Sequence, residues 1–427
     1  PLTEAEHEYC PIAKKLVGTI DFFCQPLPFK SVGLSVETPE RTFSKKTDLK
    51  SAAVSLIGIY MATSGCPIMD KLRPMVRHHL PLATTQETTY RSIANYLIAQ
   101  YLLAQRGKTP DWDLKNLGGI YDAIKTVNTH FRERLLKISR EDHALGAILT
   151  LDAHAYYINL SLIGDTFYTI ENLFEDGIRG KRISYAGTQE AEDSSGAPDI
   201  YTYRFNFNNN FTKAFTYSIN AETLRLTPVK NKPLPSWTKL LCNQCPNCPL
   251  NGAQYPHCPA ALSLIDTMEF LQEGLPPENV GILVETTERN FSKQTTLADG
   301  LNSMIGLAIA ASGCPVFSRL KPLVRNHLPF QTPSEQTYRS LGMYLLFQKF
   351  SDKNKKDPDW HLSRFAEFYQ EMNIASLAFC ERLKEISLEE NNLDMLINLE
   401  FFRKYRDFKL SKEGDEELQR LFGQIYG

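Results

Sequence analysis

The sequence predicts a predominantly helical α+β protein, with two tandem copies of a helical unit separated by a small antiparallel β-meander. Three observations predict it. A shift of 248 residues lays the start of the chain on its end without a gap. Each copy carries apolar residues at helical spacing. The segment between the copies changes to a two-residue period, rich in aromatic and β-branched side chains.

The offset is read before any secondary structure, because a missed repeat misassigns the whole fold. Val32-Gly33 falls on Val280-Gly281, and Ser64-Gly65-Cys66-Pro67 on Ser312-Gly313-Cys314-Pro315. His79-Leu80-Pro81 falls on His327-Leu328-Pro329, Thr89-Tyr90-Arg91-Ser92 on Thr337-Tyr338-Arg339-Ser340, and Pro110-Asp111-Trp112 on Pro358-Asp359-Trp360. The expected organisation is copy 1 over residues 1–179, a meander over 180–241, a cysteine-rich junction over 242–258 and copy 2 over 249–427. The 180–248 segment has no second copy in this sequence, and Pro1 aligns with Pro249. A repeat that includes that segment leads us to expect a similar stretch ahead of Pro1 in a longer chain. Two copies in one chain are expected to pack about a pseudo-two-fold axis, with strands 32–37 and 280–285 pairing across it, and to assemble further as a homo-oligomer.

The elements follow in order. Residues 5–22 read as a helix, 32–37 as a strand. Leu49, Ala52, Ala53, Leu56, Ile57, Tyr60 and Met61 form one helical stripe; Tyr90, Ile93, Ala94, Leu97, Ile98, Tyr101 and Leu102 form a second. A third runs from Leu114 to Ile138, and 142–158 reads as a further helix. Thr84-x-x-Glu87 is a capping box for the second helix, and Thr332-x-x-Glu335 repeats it. Between the copies, strands are expected at 183–185, 201–207, 211–219 and 223–226, with turns at Asn208–Asn210 and Asn220–Glu222.

Composition excludes two broad classes. With 47 basic and 49 acidic side chains, the net charge near −2 excludes a bulk nucleic-acid binder. A mean hydropathy of −0.30 and no apolar run of about 18 residues exclude a membrane-spanning helix. An odd count of nine cysteines is not a secreted disulfide framework and points to a reducing cytoplasm.

Four of those cysteines carry the clearest chemistry. Cys242, Cys245 and Cys248 are each separated by two residues, and Cys258 follows at a helix start. Two intervening residues let neighbouring thiolates converge on one ion. Zinc on Cys242, Cys245, Cys248 and Cys258 is the first reading, with His257 able to replace one ligand. An iron–sulfur cluster is the second, weakened by a final spacing of nine residues. Free thiols in a packed turn are the third. Cys10 is the counterpart of Cys258.

A second set is kept in both copies. Arg41, Arg77, His79 and Arg91 recur as Arg289, Arg325, His327 and Arg339, alongside Glu37, Glu40 and Lys45. Internal ion pairs are the first reading of this set, and an anion-binding pocket the second. Cys66 and Cys314 each precede a proline and are expected to open a helix; a small buried N-cap cysteine is the first reading of each, and a reactive thiol with a dipole-lowered pKa the second. His79 stands 13 residues beyond Cys66, roughly 20 Å along a helix, so a Cys–His dyad within one copy is disfavoured. Trp112 and Trp360 read as core anchors.

Cys245-Pro246-Asn247-Cys248-Pro249-Leu250, with the repeated Ser-Gly-Cys-Pro, His-Leu-Pro and Tyr-Arg-Ser motifs, resembles an uncharacterised bacterial family. That family combines a β-rich segment, a Cys-x-x-Cys-Pro-Leu motif and a helical region. The resemblance implies that the β segment and the helical copy after it form one unit, and it brings no activity. The expected function is therefore a cytoplasmic, metal-stabilised scaffold or binding protein. Iron–sulfur redox chemistry and small-anion binding, as a sensor or an enzyme, are the alternatives.

Overall fold

A computed structural model describes residues 11–12, 18, 31–69, 80–81, 83–138, 198–207, 211–227, 234–273, 279–353, 358–386, 388–399 and 401. Its centre is a six-stranded antiparallel sheet: β1 (Ser31–Glu37), β2 (Thr42–Asp48), β3 (Asp199–Asn206), β4 (Thr212–Ile219), β5 (Asn279–Thr286) and β6 (Asn290–Thr296). The spatial order is β1-β2-β6-β5-β3-β4. Strand β3 alternates, with Tyr201, Tyr203 and Phe205 buried and Ile200, Thr202, Arg204 and Asn206 turned outward. Its partners Val284 and Ile282 face the same way, so one face of the sheet meets the core and the other meets water.

Helices α1 (Leu49–Ala62), α2 (Thr85–Gln105) and α3 (Lys115–Ile138) follow β2. Short helices α4 (Pro259–Leu262) and α5 (Ile265–Leu271) precede β5. Helices α6 (Leu297–Ala311), α7 (Lys321–Arg325), α8 (Pro333–Lys353), α9 (Ser363–Leu383) and α10 (Glu390–Ile397) complete the described chain. Both expected stripes at 49–61 and 90–102 are helical. The first capping box is complete: Thr84 Oγ1 accepts from the Glu87 amide at 3.2 Å, and the Glu87 carboxylate accepts from the Thr84 amide at 2.7 Å. Thr332 and Glu335 repeat it at 3.2 and 2.8 Å. No described helix is long and apolar enough to cross a membrane.

The turn into the helix after α2 is tied by one carboxylate. Asp111 accepts from Tyr96 Oη at 2.7 Å and from the amides of Lys115 and Asn116 at 3.1 and 2.7 Å, so it caps α3 and anchors it to α2. Asp359 does the same for α9, through Tyr344 and the amides of Ser363 and Arg364.

The β1–β2 and β5–β6 pairs join through β2 and β6, where Phe43 lies opposite Phe291 and Thr42 opposite Ser292. Phe43 and Phe291 are 248 apart, as are Trp112 and Trp360, whose rings stack at 4.2 Å with an interplanar angle of 6°. Helices α2 and α8 lie against one another, so close at Gly342 that an added Cβ would stand 3.0 Å from the Cβ of Ala94.

Three expectations change. Strands 32–37 and 280–285 do not pair with each other; each pairs instead with the strand that follows it, and β2 and β6 meet in the middle. Of the four meander strands, 201–207 and 211–219 form the β3–β4 hairpin, while 223–226 is a turn bridged to Ile219, and 183–185 lies outside the described residues. The hairpin is not a sheet of its own, because β3 is hydrogen-bonded to β5. The helix expected at 142–158 lies outside the described residues.

Candidate functional site

The cysteine segment is held by a loop that closes on itself. Leu240 donates its amide to Pro256 at 2.9 Å, and Cys258 donates to Thr238 at 2.8 Å. Arg382, fully buried on α9, donates to the carbonyls of Trp237, Lys239 and Leu240 at 2.8, 2.6 and 3.1 Å. One guanidinium thereby satisfies three inward carbonyls of a segment with no regular partner. The cysteine turn then lies along α9: Asn247 donates to the Glu371 carbonyl at 2.9 Å, Asn243 to Glu381 at 3.2 Å, and the Cys245 thiol to Ala375 at 3.7 Å. Cys258 stands at the N-cap of α4, followed by Pro259 at the first helical position.

Burial pushes the Cys245 thiol up to about 12, and the neighbouring Cys258 and Cys248 push in the same direction against Arg382. Burial also raises Cys258. Crowded, desolvated thiols hold their protons, so any cation bound here must displace them. Cys242 is half-buried and opens the turn, its amide bonded to Lys239. His257 is turned toward Thr238, with Nδ1 2.8 Å from its hydroxyl. Among the described residues, no three His, Cys, Asp or Glu side chains converge closely enough to hold an ion. The described cysteines are free thiols.

Cys314 is buried, as the first reading has it, and the lowered thiol pKa of the second is corrected. It precedes a turn and a short 3-10 helix, and burial raises its thiol well above the ordinary range, with Cys258 and Cys245 adding to the shift. Desolvation outweighs any lowering by a helix dipole, and the thiol belongs beside the cysteine segment.

The retained charges are largely spent internally. Arg41 reaches Glu335 with both terminal nitrogens, one at 2.8 Å, and donates to the Phe330 carbonyl at 2.8 Å. Arg289 grips Glu87 at 3.0 and 2.5 Å. Side-chain exposures are 2% and 12% for the first pair and 4% and 13% for the second, so these are buried bidentate pairs of matching environment. Burial raises the Glu87 pKa, but Arg289 and the hydrogen bonds from Arg289 and Thr84 outweigh it, and the net shift is downward. Arg325 donates to the Ala221 carbonyl, and Arg339 to Gln331 and to the Leu323 and Asn326 carbonyls. Arg91 is buried on α2. Arg77 and His79 lie outside the described residues.

One cluster had no signal in the sequence. Tyr203 Oη stands 2.5 Å from His327 Nε2 and 2.9 Å from Ser303 Oγ. Burial, with the Arg339 charge adding to it, lowers the His327 pKa to about 3, so the imidazole is neutral and its ring joins the hydrogen-bond network without charge. His327 separates two clefts, one toward Arg339 and Gln331, the other toward Asp199, Glu288 and Arg325. Tyr203 comes from the inserted hairpin and the other two from copy 2, so only the folded sheet brings them together.

No curated protein and no solved structure matches the chain. A family model described as a domain of unknown function, DUF6901, matches residues 1–175 and 201–423. Its second stretch begins within β3 and spans the cysteine segment and α9. With most of its length covered, this chain belongs to the DUF6901 family.

Proposed function

We propose that the protein is a cytoplasmic scaffold or binding protein without catalysis. It is built from two copies of one unit about a pseudo-two-fold axis and stabilised by zinc at Cys242, Cys245, Cys248 and Cys258. The metal part is supported by the Cys242-x2-Cys245-x2-Cys248 spacing on a turn laid along α9, with Cys258 at the adjacent start of α4 and Arg382 anchoring the segment between; a bound cation would have to draw these thiols closer than they stand here. A thiolate-bound cation fixes such turns where hydrogen bonds alone are few. Free thiols fit a reducing compartment.

The two-copy part is supported by reciprocity. Arg41 of the first copy holds the capping carboxylate of the second, and Arg289 of the second holds that of the first. Phe43 against Phe291 and Trp112 against Trp360 are each self-matched under the 248-residue shift. The same pairs draw Arg41 and Arg289 away from any anion, which turns the balance from a charged binding pocket to internal structure.

The test is metal analysis of anaerobically purified protein. About one zinc per chain, reduced in Cys245→Ser and Cys258→Ser, is the expected result. Stoichiometric iron with acid-labile sulfide would replace zinc by a cluster and the scaffold by a redox protein. No metal, in protein of unchanged fold, would end the metal reading.

A further inference from the structure

The two repeated strand pairs differ in what lies outside them. β2 and β6 have identical burial patterns, residue for residue. β1 and β5 do not. Val280, Ile282 and Val284 of β5 are at most 2% exposed, whereas Val32, Leu34 and Val36 of β1 are only half-buried. The reason is the hairpin. β3 covers the outer edge of β5 from Gly281 to Thr286, while among the described residues β1 is hydrogen-bonded to β2 alone. The acceptor positions themselves are similar: Gly33, Leu34, Ser35, Val36, Glu37 and Thr38 stand where Gly281, Ile282, Leu283, Val284, Glu285 and Thr286 stand.

The occupied edge also shows what the open one requires. Arg204, opposite Leu283, reaches diagonally to Glu285 with Nε 2.5 Å from the carboxylate. Glu37 is the counterpart of Glu285 and is exposed. Phe205 and the residue opposite it, Ile282, share a space that exists because residue 300 is glycine: a Cβ there would meet Ile282 Cδ1 first and then stand 2.6 Å from Phe205 Cε1. The counterpart of Gly300 is Ala52, which is buried and has that Cβ. With that Cβ in place, a side chain smaller than phenylalanine is expected opposite Leu34.

We propose that β1 is an acceptor edge for strand addition. Its occupant is the inner strand of a partner β-hairpin with a basic residue opposite Ser35, within reach of Glu37, and a side chain smaller than phenylalanine opposite Leu34. Main-chain hydrogen bonds supply the affinity and these two positions the selectivity. The β3–β4 hairpin of a second copy is disfavoured by Phe205, and β1 paired with another β1 offers no cation for Glu37, since Ser31–Glu37 contains none. Among the described residues β1 is an outer edge with three half-buried apolar side chains, a surface that pairs unless it is blocked, and β1 holds neither lysine nor proline to block it. The inference takes the 248-residue correspondence from the two-copy reading.

The test uses the full chain with two labelled synthetic hairpins of sequence 199–219, one native and one with Phe205→Ala. The F205A hairpin is expected to bind about tenfold more tightly than the native one and to slow amide exchange at residues 31–37. Glu37→Lys is expected to weaken it severalfold. Binding of neither hairpin, equal binding of both, or unchanged exchange at 31–37 overturns the proposal. Protection of 31–37 in the chain alone, as monomer or dimer, does so too, because the edge is then already filled. The same exchange data report Thr42–Ser44 separately: fast exchange there counts against the two-copy body and not against the edge.

Discussion

Replacing Arg289 by methionine leaves the Glu87 carboxylate buried, bonded to its own capping amide and stripped of its counter-charge. Breaking a buried pair from one side costs about 3–5 kcal/mol, because the remaining charge has lost its partner and cannot regain water. Arg41→Met is expected to cost the same within about 1 kcal/mol, since the two pairs share their exposures and their bidentate geometry. The double change Arg289→Met with Glu87→Gln keeps a side-chain acceptor for the Thr84 amide and removes the orphaned charge. It should therefore be more stable than Arg289→Met alone. Equilibrium urea unfolding of the wild type, both single variants and the double variant gives the coupling directly. A cost below about 1 kcal/mol for Arg289→Met, the range of exposed ion pairs, would refute the argument. A large cost at Arg289 beside a negligible one at Arg41 would refute the equivalence of the two halves.

Gly300→Ala should destabilise by about 1–3 kcal/mol through overpacking, with Phe205→Leu restoring part of the loss; thermal unfolding of the three variants checks it. In contrast, Ala52→Gly is expected to lose only about 1 kcal/mol, as a helix-interior glycine. Below pH 6.5 the unfolded chain takes up a proton that native His327, with its pKa lowered to about 3, refuses. Stability should fall through that window, and His327→Gln should flatten the fall in a series of unfolding curves. The lowered pKa of Glu87 acts at more acid pH: its contribution is complete above its unfolded value and disappears as pH drops through the folded one, so Glu87→Gln should reduce the steepness of acid unfolding. Trp112→Phe or Trp360→Phe alone should each abolish the strong near-UV dichroism of the stacked pair, with a coupling of about 0.5–1.5 kcal/mol.

The helices were legible because their signals are local. Apolar spacing marks α1 and α2, and Thr-x-x-Glu marks two helix starts to the residue. Strands β2 and β6 were not, since Thr-Phe-Ser-Lys-Lys-Thr-Asp and Asn-Phe-Ser-Lys-Gln-Thr-Thr are polar everywhere but at one phenylalanine. They can be interior strands because one face of the sheet is wet, so a single apolar residue on the other is enough. The same locality limited the site. Glu87 was legible as a cap, whereas its bond to Arg289 spans 202 positions and leaves no pattern in the intervening chain. Cys314 read as a helix opener for the same reason, because its neighbours Cys258 and Cys245 are brought to it only by packing. The meander was over-extended at 223–226, where a β-rich run lacks a strand to pair with and closes as a turn.

The crossed arginines make each half the finishing part of the other. Cut between the halves, either fragment would keep a buried guanidinium and a buried capping carboxylate that cannot reach one another, so neither would be self-sufficient. Separate fragments would have to meet at concentrations that saturate their contact, whereas one covalent chain supplies a millimolar-scale local concentration at all times. Tethering also removes the demand that the halves be identical. A glycine at 300 can lie under an aromatic strand while its counterpart at 52 is an alanine, a difference that two identical free subunits could not hold.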